Sequence, residues 1–234
     1  MKKHIPNAIT CLNLLMGCLA LYFAFNDQLV YTAYLIGVAA VFDFLDGMVA
    51  RVLKAYSEIG KQLDSLADMV SFGVVPGTIM FALLSRTDAS ILGIPAHILP
   101  FFGFLITIFS ALRLAKFNID TRQTDSFIGV PTPACSIFIG SLPLILASGS
   151  LIAYDLILNP YFLLTVTVIF SYLLVAELPL FALKFKNLTW QDNSVRFIFL
   201  GISVILLALL QFAAIPLIIV LYILLSIVKK TSPS

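Results

Sequence analysis

Residues 41–70, VFDFLDGMVARVLKAYSEIGKQLDSLADMV, contain four aspartates within two apolar segments. The apolar ends of this stretch carry two aspartates each, with Asp43 and Asp46 before a short polar centre and Asp64 and Asp68 after it. On two antiparallel helices joined by this centre, residues at equal distance from the turn lie at similar depth. The spacing therefore predicts a helical hairpin that brings four carboxylates together.

The composition of the whole chain places this hairpin in a membrane protein. Of the 234 residues, 61% are hydrophobic and 11% are charged, and the net charge is +2. Soluble domains have about 45–50% apolar and about 25% charged residues. So few charges cannot form a polar surface, which excludes a soluble globule, a disordered chain and a nucleic-acid binder. The predicted fold class is an all-α, polytopic membrane helix bundle.

Runs of roughly 20 apolar residues predict about eight transmembrane helices. Seven are possible, because the last two runs are nearly continuous. The first run has no small-residue cleavage site, so we interpret it as a retained span and not as a removed signal peptide. The predicted spans are about 6–25, 29–53, 62–85, 95–117, 131–153, 159–183, 195–211 and 214–228.

The basic residues predict the orientation of these spans. Eight spans place every lysine and arginine except Arg86 on one side, whereas seven would move Lys229 and Lys230 across. We therefore favour eight spans in the inner cell membrane, with both termini and the acidic hairpin on the cytoplasmic side. Residues 1–234 are predicted to form one integral domain, with the hairpin at about 29–85.

Four carboxylates just inside the membrane surface need a compensating charge. Asp43 and Asp46 are three residues apart and share a helix face, as do Asp64 and Asp68, which are four apart. The nearby lysines and arginine lie toward the turn rather than among the acids. Carboxylate oxygens suit Mg²⁺, Mn²⁺ or Ca²⁺ and not Zn²⁺. Because unpaired ions in a dry site are costly, the pattern predicts one or two divalent cations here.

Small residues and an arginine accompany the acids. Gly47 and Ala50 share the face of Asp43 and leave room beside it. Arg51 follows at the membrane surface, where a guanidinium can bind a phosphate in a bidentate manner or act as a cytoplasmic anchor. Gly47 alone would also suit helix packing. Together with metal ions, these residues indicate a site for a diphosphate.

The hairpin pattern Asp43-x2-Asp46-Gly47-x2-Ala50-Arg51-x8-Gly60-x3-Asp64-x3-Asp68 resembles the signature of the CDP-alcohol phosphotransferase family. This family joins a CDP-linked donor to an alcohol acceptor and releases CMP. The resemblance implies two divalent cations, Mg²⁺ or Mn²⁺. One would be held by Asp43, Asp46 and Asp64, and the other by Asp43, Asp64 and Asp68. It also makes Asp68 the general base.

The resemblance further implies which residues contact the CDP-lipid. Residues 6–10, PNAIT, are similar to the family's motif at the start of its first span, although Asn7 alone would also suit a helix cap. Ser57 and Gly60 lie in the turn, where serine and glycine are also common for purely structural reasons. The implied contacts are Asn7, Thr10, Gly47, Ala50, Arg51, Ser57 and Gly60.

Residues 69–76, 111–118 and 127–134 resemble the phosphatidylserine synthase branch of the family. The implied reaction transfers a phosphatidyl group from CDP-diacylglycerol to the hydroxyl of L-serine. Arg113 and Asn118 would contact the acceptor, because an arginine and an amide can both bind the serine carboxylate. Arg113 and its neighbour Lys116 would also suit membrane anchoring.

Other interpretations stay open at this point. The acceptor could be glycerol 3-phosphate or inositol 1-phosphate, or the chain could be a divalent-cation transporter, whose acids would be spread across the membrane. The family's usual homodimer is expected, and Gly73 and Gly77 form a G-x-x-x-G that suits either helix packing or a dimer interface. Glu177, predicted inside the sixth span, and His97 receive no role.

Overall fold

The computed structural model describes residues 4–87, 90–91, 93–120, 126–149, 151–181 and 189–231, and nearly all of them are helical. This confirms the all-α class. Five of the basic residues used to predict the orientation lie outside the described ranges: Lys2, Lys3, Arg122, Lys184 and Lys186. The α-helices are α1 (His4–Phe25), α2 (Leu29–Val52), α3 (Glu58–Asp68), α4 (Val75–Ser85), α5 (Leu105–Ile119), α6 (Thr132–Ala147), α7 (Leu151–Ile157), α8 (Pro160–Val175), α9 (Trp190–Leu210) and α10 (Ala214–Thr231).

Shorter elements connect or extend these helices. A π-helical segment, Met69–Val74, joins α3 to α4, so that Glu58–Ser85 forms one long helical element. The 3₁₀ segments Leu99–Phe104 and Gln211–Ala213 precede α5 and α10. Strands β1 (Ser126–Ile128) and β2 (Pro179–Phe181) pair antiparallel, with Phe127 opposite Leu180.

Two predicted spans differ from the observed helices. The run at 131–153 does not form one helix, because α6 ends at Ala147 and α7 begins at Leu151. Helix α7 is in turn bent by 63° relative to α8. The run at 159–183 is helical only as far as Val175, so Glu177 lies exposed beyond the helix and not inside a span. Apolar composition could not reveal this end, because residues 178–181 stay apolar while β2 pairs with β1.

In the part of the chain described, five helical elements are long and apolar enough to cross a membrane, or six if α7 and α8 form one broken span. Asn193–Ile227 counts among them as one element. However, the rings of Phe199 and Tyr222 lie 5.9 Å apart, whereas 23 residues of straight helix would separate them by about 35 Å. The chain therefore turns back at Gln211, whose φ is +50°. The number of membrane crossings, eight or seven, stays a prediction.

Helix α1 packs closely against α2 and the π-helical segment. The Thr32 hydroxyl on α2 donates a hydrogen bond to the Ala20 carbonyl, at 3.2 Å. The Ser71 hydroxyl donates to the Asn13 carbonyl, at 3.1 Å. A Cβ at Gly17 would lie 2.5 Å from Ser71 Oγ and 3.1 Å from its Cα. Gly17 is therefore the position at which the two backbones can approach each other.

The π-helical segment follows Asp68 directly. The Val75 amide donates to the Val70 carbonyl, five residues back, and Pro76 has no amide hydrogen to donate. The Thr107 hydroxyl donates to the Gly73 carbonyl at 2.9 Å, and a Cβ at Gly77 would collide with Thr107. The G-x-x-x-G motif thus packs against α5 and its 3₁₀ extension within one chain. The homodimer stays a prediction that this motif does not support.

A side chain at Gly17 should destabilise the protein. We expect Gly17→Ala to lower the free energy of unfolding by about 1–3 kcal/mol, because the added methyl overpacks the contact with Ser71. Gly37→Ala is the matched control, because a Cβ at Gly37 on α2 would meet no heavy atom within 4 Å and the change gains about 1 kcal/mol of helix propensity. Thermal or denaturant unfolding in detergent measures both variants. Equal stability of the two variants would contradict the close approach.

Candidate active site

A cavity of about 460 Å³ opens between the start of α1, the end of α2 and the first turns of α3. The elements that form it follow from the local sequence, because the Ser57 hydroxyl caps α3 by accepting a hydrogen bond from the Gly60 amide, at 3.0 Å. The cavity is lined by Pro6, Asn7, Thr10, Asp43, Asp46, Gly47, Ala50, Arg51, Ala55, Tyr56, Ser57, Gly60, Lys61, Asp64 and Phe117.

The acids of the hairpin converge at this cavity. Carboxylate oxygens of Asp43, Asp64 and Asp68 all lie within 4.8 Å of one another. This triad corresponds to the second of the two predicted metal-binding sets. Asp46 lies outside the triad but lines the same cavity as Asp43 and Asp64. Helices α2 and α3 have little direct contact with each other, because α1 packs against both, and this packing together with the short turn at 53–57 brings the acids together.

The residues present fit divalent cations. Among the described residues, none of the four aspartates forms an ion pair with a lysine or arginine. Asp46 is 5% exposed, and its Oδ2 is buried without a hydrogen-bond partner in the described part of the chain. Buried anions without partners are unstable unless they bind a cation. The oxygen-only donor set suits Mg²⁺ or Mn²⁺.

Asn13 on α1 is a site residue that the sequence analysis missed. Its Nδ2 donates a hydrogen bond to Asp68 Oδ1 at 3.1 Å, in a buried setting. The Ser71 hydroxyl in turn holds the Asn13 carbonyl. A polar amide within the apolar run of α1 was the available signal, but its partner lies 55 residues away and depends on the packing of α1 on α3.

The seven predicted CDP-lipid contacts all line the cavity. A Cβ at Gly60 would lie 2.9 Å from both Asn7 Oδ1 and Ser57 Oγ, so a larger residue there would displace these two side chains. A Cβ at Gly47 would meet no heavy atom within 4 Å and would project into open space. The Thr10 hydroxyl donates to the Pro6 carbonyl at 3.1 Å and lies beside Asp46.

The two predicted acceptor contacts are separated in the structure. Arg113 is 7% exposed and lines a small recess next to the main cavity. Asn118 lines neither space. Its Nδ2 donates to Ser65 Oγ at 2.8 Å, and its carbonyl accepts a hydrogen bond from Lys61 Nζ at 3.0 Å. Asn118 thus connects the end of α5 to α3 by hydrogen bonds. Its contact with the acceptor stays a prediction.

Comparison with known proteins identifies the family of the chain. Residues 3–173 match the model of the CDP-alcohol phosphatidyltransferase family. A CDP-diacylglycerol–serine O-phosphatidyltransferase of Bacillus subtilis is 34% identical over 180 residues, which cover 75% of this chain and 89% of that protein. One of Helicobacter pylori is 36% identical over 137 residues, covering 57% of this chain and 54% of that protein.

An archaetidylserine synthase of Methanothermobacter thermautotrophicus is 32% identical over 139 residues, covering 58% of this chain and 56% of that protein. The chain thus spans about half the length of the Helicobacter and Methanothermobacter proteins that it matches. The family match covers well over half of the chain and includes the whole acidic hairpin. The chain therefore belongs to the CDP-alcohol phosphatidyltransferase family.

Proposed function

We propose that this chain transfers a phosphatidyl group from CDP-diacylglycerol to the hydroxyl of L-serine, forming phosphatidylserine and CMP. The observation that carries the proposal is the convergence of Asp43, Asp64 and Asp68 beside a cavity lined by the other signature residues. The names of the Bacillus and Helicobacter relatives support the choice of donor and acceptor.

Two divalent cations, Mg²⁺ or Mn²⁺, are part of the proposal. Asp43, Asp46 and Asp64 hold one, and Asp43, Asp64 and Asp68 hold the other. The structure supports the second set through the short distances between its carboxylates, and the first through the unpartnered Oδ2 of Asp46. When bound, such ions neutralise the diphosphate and stabilise the charge that develops as CMP leaves.

Asp68 acts as the general base in this proposal. Its carboxylate takes the proton of the serine hydroxyl, whose oxygen attacks the phosphorus that carries the lipid. The bond from this phosphorus to the CMP oxygen breaks, and CMP leaves. Asn13 holds Asp68 Oδ1 by its hydrogen bond and so fixes the orientation of the carboxyl group. A serine hydroxyl needs such a base because its own pKa lies far above 7.

The cavity residues bind the CDP part of the donor. Arg51 offers a guanidinium to phosphate oxygens, and Gly47 and Ala50 leave the space beside it. Asn7, Thr10 and Ser57 supply polar contacts in the cavity, and Gly60 leaves space beside Asn7 and Ser57. The lipid chains remain in the membrane, against helices whose outer faces expose large apolar residues such as Phe44 and Met48.

The location follows from the chemistry of the substrates. Serine and CMP are water-soluble, so we propose that the cavity faces the cytoplasm from the inner membrane. The acids cluster at one end of the hairpin, which favours a transferase over a divalent-cation transporter with a path across the bilayer. A homodimer remains part of the proposal.

The decisive assay is CMP release by the purified full chain in detergent with CDP-diacylglycerol and Mn²⁺ or Mg²⁺. L-serine should stimulate release, whereas glycerol 3-phosphate and inositol 1-phosphate should not. Asp68→Asn should lower the rate by about 10²–10⁴-fold, because it removes the base.

The matched control for this assay is Asp155→Asn, which makes the same change at an exposed position on α7. It should keep the full rate. Stimulation by a phosphorylated acceptor would refute serine as the substrate and leave the donor chemistry in place. No release with any acceptor, from folded protein that binds Mn²⁺, would refute the transferase.

Gly47→Ala should weaken donor binding without destabilising the protein. Its methyl group would occupy cavity space and meet no protein atom, so we expect the KM for CDP-diacylglycerol to rise by about ten-fold. Gly37→Ala on the same helix is the matched control, because it also meets no atom but lies away from the cavity. An unchanged KM in Gly47→Ala would place the nucleotide elsewhere.

A further inference from the structure

A small recess adjoins the main cavity and shares one wall with it. Phe117 lines both spaces. The recess has a volume of about 40 Å³, against about 460 Å³ for the main cavity, so it suits a small charged group and not a nucleotide. Its lining comes from the end of α5, the last residue of β1, the end of α8 and the chain just beyond it: Arg113, Lys116, Phe117, Asp120, Ile128, Leu174, Val175 and Glu177.

Arg113 is a buried cation in the lining of the recess, and one of its donor atoms has no hydrogen-bond partner in the part of the chain that the structure describes. It is 7% exposed, and its Nε is buried without a hydrogen bond. The guanidinium carbon lies 5.8 Å from the centre of the Phe117 ring, and the charge is within electrostatic range of Asp68. A buried guanidinium is stable when it meets an anion, and a carboxylate matches its planar donors.

The lining of the recess also contains two acidic residues. Glu177 lies at its edge, two residues beyond the end of α8, and Asp120 closes the end of α5. Backbone hydrogen bonds fix the position of Glu177, since the Gly129 amide donates to the Leu178 carbonyl and the Val130 amide to the Leu173 carbonyl, each at 2.9 Å. Gly129 has a φ of +76°, and a Cβ there would lie 2.7 Å from the Leu174 carbonyl oxygen.

A recess whose lining holds both cationic and acidic side chains is complementary to a zwitterion. We propose that it binds the charged end of an amino-acid acceptor, with Arg113 contacting the carboxylate and Glu177 contacting the ammonium group. This inference rests on the proposed function and extends it to the selection of the acceptor. The shared wall at Phe117 places the recess beside the acids, so that the acceptor hydroxyl can reach Asp68.

The same charges explain selection against the alternative acceptors. Glycerol 3-phosphate and inositol 1-phosphate carry a dianionic phosphate and no ammonium group. Arg113 and Lys116 would attract that phosphate as they attract a carboxylate, but Glu177 and Asp120 would repel it and attract an ammonium ion, so the two acidic residues carry the discrimination. The main-chain pairing of β1 with β2 holds the chain near Glu177 in place, so these two short strands contribute to the selection of the acceptor.

The test measures CMP release by the full chain in detergent, with L-serine varied and two charge-deficient analogues added as competing ligands. 3-Hydroxypropionate keeps the carboxylate and lacks the ammonium group, and ethanolamine does the reverse. Glu177→Gln should raise the KM for L-serine by about ten-fold, with kcat and the KM for CDP-diacylglycerol unchanged. It should weaken inhibition by ethanolamine and leave inhibition by 3-hydroxypropionate unchanged or stronger.

Arg113→Gln should show the opposite pattern, with inhibition by 3-hydroxypropionate lost and inhibition by ethanolamine retained. Because Arg113 is buried, this variant could fail to fold, and the exposed Glu177 then carries the test alone. Asp155→Asn again serves as the matched control and should change none of these constants.

The outcomes separate the two proposals. Normal use of L-serine by the unaltered chain, together with an unchanged serine KM in Glu177→Gln, would overturn the zwitterion site and leave the proposed function standing. Absence of serine-dependent CMP release in the unaltered chain would overturn the proposed function itself, and the site with it. Equal weakening of both analogues in Glu177→Gln would also overturn the assignment, because a merely structural role predicts that pattern.

Discussion

Repulsion among the carboxylates of Asp43, Asp64 and Asp68 is the constraint on which the rest of the structure depends. Their oxygens lie within 4.8 Å of one another, on the two helices that flank residues 53–57. Such an arrangement persists only if surrounding elements hold it and cations neutralise it. Helix α1 supplies much of the support, because Asn13 binds Asp68 and Gly17 allows close contact with Ser71. The π-helical segment then carries the chain away from Asp68 toward α4.

The main cavity and the adjoining recess have different structural origins. The cavity lies among α1, α2 and α3, and apart from Phe117 on α5 its lining comes from the hairpin and the N-terminal PNAIT segment. The recess, which we propose binds the acceptor, is formed by segments far apart in sequence: the end of α5, β1, the end of α8 and Glu177 beyond it. Under the two proposals, acceptor selection and metal binding depend on different residues.

Much of the site could be predicted from the sequence, because most of its residues lie close together along the chain. The spacing of Asp43, Asp46, Asp64 and Asp68 predicts their convergence without tertiary information, and the seven predicted CDP contacts line one cavity. What could not be predicted depends on packing between distant elements. Asn13 meets Asp68 only because α1 crosses α3, and Asn118 turns to Ser65 rather than toward the site.

The sequence pattern also could not predict where the later helices end. Glu177 follows α8 because a short ribbon forms there, and hydropathy cannot distinguish an apolar strand from a continuing helix. The fold-back at Gln211 is likewise a backbone feature, seen in the contact between Phe199 and Tyr222. Apolar length predicts that these segments are helical but does not predict where each one bends.

The most direct test of the central claim is the Mn²⁺ stoichiometry of the full chain in detergent, followed by electron paramagnetic resonance. We expect the full chain to bind two Mn²⁺ ions. Because both proposed sets share Asp43, Asp43→Asn should weaken both sites by about ten-fold or more, whereas Asp46→Asn should weaken one. Asp155→Asn should leave both intact. Two full-affinity sites in folded Asp43→Asn, or no Mn²⁺ binding by the unaltered protein, would contradict the account.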